Sequence, residues 1–142
     1  MRLIVVNYSM SSKSLVFSHQ KEVVRELSQF FETVEVFTTE VSSEPLPRNV
    51  KVSHIPWKAN SPLRNIITVL KLLYPVLARN RSSVLFTHMT DVHAAILAPL
   101  TWLLKMRHIL WYAHAKNSNT LFGRLSLFPR LSLLPQDLVI LA

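Results

Sequence analysis

The sequence has no cysteine, one glycine and few charged residues, and each shortage removes a class of function. Without cysteine there is no disulfide framework, no thiolate metal site and no cysteine nucleophile, a pattern that fits a reducing compartment. A lone glycine, Gly123, cannot build either Gly-x-Gly-x-x-Gly or a P-loop. A dinucleotide or triphosphate held in a backbone cradle is therefore not expected, and no cofactor is expected. Charged residues make up only 17% of the chain against 49% hydrophobic, which excludes a disordered tail. Long apolar runs are missing too. The longest, Ala94 to Leu104, falls short of the ~20 apolar residues of a membrane span, and Pro99 and Thr101 interrupt it. The first strand begins almost at Met1 without the flanks of a signal peptide, so a cytoplasmic chain is expected.

What is present is enough for one core, since a chain of 142 residues buries roughly 68–70% of the surface it exposes when unfolded. Sixteen Lys and Arg stand against eight Asp and Glu, a net charge of +8 that suits a polyanionic partner: nucleic acid, anionic lipid or a diphosphate. Arg64, Lys71, Arg79, Arg81, Lys105 and Arg107 lie on or near predicted helix ends beside Trp57 and Trp102. That mixture of cations and amphipathic aromatics suits an anionic membrane surface, although solvated helix faces account for much of it.

Arg2 to Asn7 reads as a buried strand from its β-branched content. A helix follows, with Val16, Val23, Val24, Leu27, Phe30 and Phe31 on its apolar face and Lys21, Glu22, Arg25 and Glu26 left for solvent. Thr33 to Thr39 is the second strand. Glu44 to Asn49 is a proline-held loop, and Val50 to Ile55 a short third strand. Ser61 is expected to cap, and Pro62 to open, a long helix through Leu77 that Pro75 kinks near its end. Ser83 to His88 and His108 to Ala113 read as strands around a helix from Asp91 to Lys105. The helical crossovers predict an α/β, doubly wound and mainly parallel sheet. Residues 121–142 are set apart as an atypical tail, with Asp137 to Leu141 as a candidate last strand.

The three most apolar strands each run into a polar cluster: Ser9 to His19, Thr87 to His93 and His114 to Asn119. In an open parallel sheet, ligands bind outside the carboxyl ends of the strands, so these clusters mark one candidate edge. The hydroxyls and lysine of the first loop, with the following helix N-terminus, suit an anionic oxygen. His88 and His93 flank Asp91, but the HExxH spacing is absent and no metal site is expected. His88, at a strand end, is a candidate polar contact to substrate. His93 is expected to be solvated or hydrogen-bonded. His19 falls in the first turn of its helix, facing the crevice. His114, beside Lys116 and Asn117, offers an imidazole as hydrogen-bond donor, base or charge stabiliser.

Ser14 to Val24 with the Val34 to Thr38 strand, Phe86 to Asp91, and Leu110 to Ser118 together resemble the amino-terminal domain of family 4 glycosyltransferases, closest to those that build bacterial surface polysaccharides. The resemblance covers about residues 1–120. It implies half of a GT-B architecture, in which two Rossmann-like domains face each other across a cleft. Its first domain receives a saccharide or polyprenyl-diphosphate-linked acceptor, and its second holds the nucleotide-sugar donor in a metal-independent reaction. Carried onto this sequence, Ser14, His19 and their loop face the cleft, His88 and Asp91 lie near the acceptor, Lys116 and Asn117 line the same side, and His114 approaches the transferred sugar as the catalytic group. The expectation is an acceptor-side domain, inactive without a donor domain, that works in the cytoplasm or on the inner face of the plasma membrane. The family's glycine-rich first loop is replaced here by Ser and Lys. The alternative is a small basic binding protein with the same core, acting on nucleic acid or on a separately encoded donor domain. No basic and aromatic RNA-binding sheet motif is present, so nucleic acid is not expected.

Overall fold

The computed structural model describes residues 1–111 and the strand at residues 138–141. Six strands and three helices follow one another as β1 (Arg2–Ser9), α1 (Ser18–Leu27), β2 (Thr33–Glu40), β3 (Val50–His54), α2 (Pro62–Arg79), β4 (Val84–His88), α3 (Asp91–Leu103), β5 (Arg107–Trp111) and β6 (Leu138–Leu141). Every pairing is parallel, and the strand order is β3-β2-β1-β4-β5-β6. This is the order of a doubly wound, Rossmann-like α/β fold. β6 lies within the segment set apart as a tail, yet it pairs with β5 in the same sheet.

The apolar run of β1 explains its central place. Leu3, Ile4, Val5 and Val6 are all buried, and alternation sends them to opposite faces of the sheet. Ile4 and Val6 join Phe37 and Leu85 beneath Val69, Leu73 and Leu77 of α2 and Leu97 of α3. Leu3 and Val5 join Val34, Val36 and Phe86 against Val24 of α1. Among the described residues, one helix therefore covers one face and two cover the other.

Several local expectations are corrected. α1 stops at Leu27, so Phe30 lies beyond it, exposed, and Val16 precedes its first turn and is exposed as well. Lys21 is not left for solvent: it is buried and its ammonium pairs with Glu44 in the β2–β3 connection. Ser61 precedes α2 but makes no capping hydrogen bond from its side chain, and α2, with Pro75 inside it, ends at Arg79 rather than Leu77. β2 and β3 are parallel although no helix lies between them. The prolines of that connection and the bonds from Asn49 Nδ2 to the carbonyls of Ser28 (2.7 Å) and Phe31 (2.9 Å) fix its return to the start of β3.

Candidate functional site

The strand order reverses between β1 and β4, and the crevice of such a fold opens there, beyond their carboxyl ends. In this chain the crevice is bridged by one side chain. Gln20 is fully buried; its Oε1 accepts the backbone N–H groups of Tyr8 (3.1 Å) and Ser9 (3.0 Å), and its Nε2 donates to the carbonyl of His88 (3.1 Å). The amide satisfies backbone groups that diverging strands can no longer pair with each other. Sequence reading passed over Gln20, although the signal was there: it is a polar residue four positions before Val24, on the core-facing side of α1.

Around that bridge stand four aromatic and imidazole rings. His88 lies flat on Trp111 with ring centroids 4.7 Å apart, and His19 meets it edge-on at 5.3 Å. Phe86 closes the stack at 5.7 Å. His88 is thus not a solvent-facing group at a strand end but a fully buried one, and neither of its ring nitrogens has a hydrogen-bond partner among the described residues. Burial first, and the neighbouring His19 second, push its imidazole down to about 4. At neutral pH the ring carries no charge and offers one donor and one acceptor. His19 itself is exposed in the first turn of α1.

Of the two expectations for His93, the hydrogen-bonded one holds, and the ring is buried. Its Nδ1 shares a hydrogen bond with Thr90 Oγ1, its Nε2 has no partner among the described residues, and its ring sits between Tyr8 (5.8 Å) and Trp57 (4.7 Å). Burial lowers this imidazole to about 4 as well. Asp91 opens α3, and its Oδ1 accepts the N–H of Val92 at 2.8 Å. Among the described residues no group of three His, Cys, Asp or Glu side chains is placed to hold a metal ion. Between β4 and α3, Met89 adopts a positive φ of 57°, a sparsely populated conformation for a residue with a side chain. The bond from its N–H to the carbonyl of Trp111 (2.8 Å) holds it there. Such local strain gathers at functional sites.

The hydroxyls of the first loop are built into its own backbone turns. Ser9, Ser11 and Ser14 spend their oxygens on backbone N–H groups of Ser11 (3.0 Å), Lys13 (3.2 Å) and Phe17 (3.2 Å). Ser12 donates to Glu44 (2.7 Å), and Lys21 lies on the same carboxylate, whose pKa falls to about 2 chiefly through Lys21 and then Ser12. A carboxylate fastened to the loop works against a bound anion. Ser14 therefore shapes the entry to α1, and Lys13 is the exposed cation of the loop. His114, Lys116 and Asn117 lie outside the described residues.

The edge thus combines aromatic faces, the buried neutral imidazoles of His88 and His93, and the exposed His19. No family model matches this sequence, and no curated protein matches it.

Proposed function

We propose that the chain is the acceptor-side domain of a glycosyltransferase of the GT-B type, which receives a saccharide or polyprenyl-diphosphate-linked acceptor and meets a nucleotide-sugar donor only across a second domain. The observation that carries this reading is convergence. The segments that resemble family 4 glycosyltransferases include α1 with the loop before it, the β4–α3 junction, and the end of β5; these meet at the carboxyl edge around Gln20, His88 and Trp111. Aromatic faces beside neutral donors and acceptors suit the apolar and hydroxylated faces of a sugar ring. In this reading His114 donates a hydrogen bond to the transferred sugar or supports positive charge at its anomeric carbon.

Stabilising a transition state needs groups on both sides of a cleft. The 142-residue chain, assayed by itself with nucleotide sugars and a polyprenyl-diphosphate-linked saccharide, is therefore expected to transfer no sugar above a heat-treated control. Adding a compatible donor domain should start transfer, and His114→Ala should then lower turnover by about 100-fold or more, as for loss of one positioned catalytic group. Turnover by the chain alone, or equal turnover by His114→Ala and its parent, overturns the reading.

A further inference from the structure

Charge is divided unevenly along this chain. Residues 1–54 hold six basic and six acidic side chains, whereas residues 55–111 hold seven basic ones and a single acid, Asp91. The second stretch builds α2, α3 and the entries to β4 and β5, so the excess falls on the two-helix face of the sheet and on its amino edge. Arg64, Lys71, Arg79, Arg81, Lys105 and Arg107 are all exposed, and none forms an ion pair among the described residues. The α1 face is different: there Arg25 pairs with Glu22.

The same basic face leaves apolar side chains in solvent. On α2, Leu63, Ile67 and Tyr74 are exposed at spacings of four and seven, which puts them on one side of the helix. At the end of α3, Trp102 is 60% and Leu103 71% exposed. The turn that follows is held closed: Lys105 has a φ of 54°, its N–H donates to the carbonyl of Trp102 (3.0 Å), and Met106 N–H donates to Thr101 (2.9 Å). Trp102, Leu103 and Lys105 are thus fixed side by side. Next to them a cleft of about 330 Å³ opens between the entries to β4 and β5, lined by Arg81, Ser82, Ser83, Lys105 and Arg107 together with Met1 and Val84.

Cations alone would suit any polyanion, but exposed Leu and Ile beside them gain nothing from nucleic acid and gain area when buried in a lipid interface. Tryptophan at the boundary of apolar and charged groups is the arrangement found at membrane surfaces. We propose that the α2–α3 face docks on an anionic lipid bilayer, with Trp102 and Leu103 entering the interfacial region and Arg81, Lys105 and Arg107 taking lipid phosphates at the cleft. The attachment is peripheral, since among the described residues no helix is long and apolar enough to cross a membrane. It does not depend on the reaction proposed above.

The test is co-sedimentation of the full chain with phosphatidylcholine vesicles, with and without phosphatidylglycerol. Binding is expected only where phosphatidylglycerol is present and should weaken as salt rises. The triple variant Arg81→Gln, Lys105→Gln, Arg107→Gln should bind those vesicles more weakly by on the order of 100-fold, since each basic residue near the surface is worth about a fivefold factor. Trp102→Ser with Leu103→Ser should lose the binding that persists at high salt, whereas Arg48→Gln with Lys51→Gln, on the far edge of the sheet, should bind nearly as the parent does. All substituted groups are exposed, and circular dichroism with urea unfolding confirms that each variant is folded. Equal affinity for the two vesicle types overturns the proposal. So does unchanged binding by the folded triple variant, or tighter binding to a single-stranded oligonucleotide that the same variants abolish.

Discussion

Three histidines lie in the core, and each is there as a neutral ring. His108, on β5, shows how: its Nε2 faces Thr87 Oγ1 at 3.1 Å and its Nδ1 faces Thr101 Oγ1 at 3.3 Å, while Thr101 donates to the carbonyls of Leu97 (3.2 Å) and Ala98 (3.0 Å). With the Thr101 proton so engaged, Nδ1–H donates to Thr101, while Thr87 Oγ1 lies between Nε2 and the carbonyl of Ile109 (3.4 Å), and it is burial that keeps the ring neutral. Burial lowers His88, His93 and His108 to about 4 from an ordinary 6.5. The unfolded chain therefore binds more protons than the folded one below about pH 6.5, and the stability these rings contribute is lost as the pH falls through about 4. Urea unfolding at pH 7 and at pH 5 should differ by about 1–2 kcal/mol for each ring, with pH 7 the more stable. The Glu44 carboxyl, ordinarily near 4.5 and held near 2, lies below this window, so the loss belongs to the imidazoles. Equal stability at the two pH values would show that the rings are solvated. The burial of His108 was not legible in the sequence, because its partners Thr87 and Thr101 arrive from β4 and α3.

Elements were read more securely than residues. The runs of β1, β4 and β5 are apolar enough to name themselves as buried strands, and the 3.6-residue spacing of α2 survives even Pro75. What periodicity could not show is how α1 is fastened. Its phase places both Gln20 and Val24 toward the sheet, but only the meeting of β1 with β4 gives the amide its three partners. Gln20→Ala leaves two N–H groups and one carbonyl buried without partners, so it should cost about 2–4 kcal/mol in urea unfolding, more than a surface substitution on the same helix such as Glu26→Ala. A cost no larger than that of Glu26→Ala would mean that water serves these groups equally well. The Lys21 position misled for a related reason: its partner, Glu44, comes from a loop 23 residues further along.

At the scale of the whole molecule, two surfaces face different demands. The carboxyl edge gathers aromatic rings and uncharged imidazoles at the β1–β4 reversal, and the α2–α3 face with the amino edge gathers unpaired cations and exposed apolar groups. A domain that takes a lipid-linked acceptor would need both: a surface that stays at the bilayer, and a crevice at which the saccharide is presented. α2 and α3 both begin at the carboxyl edge and run back toward the amino edge, so a bilayer along their outer side lies beside the mouth of the crevice. The most direct test is a nuclear magnetic resonance titration of the labelled chain with a water-soluble, short-chain polyprenyl-diphosphate saccharide. The resonances of His19, His88 and the Trp111 indole should shift together and saturate, and His19→Ala should weaken the response. Shifts confined to the surroundings of Arg81, Lys105 and Arg107, or no saturable shift at all, would contradict the assignment of the carboxyl edge as the acceptor site.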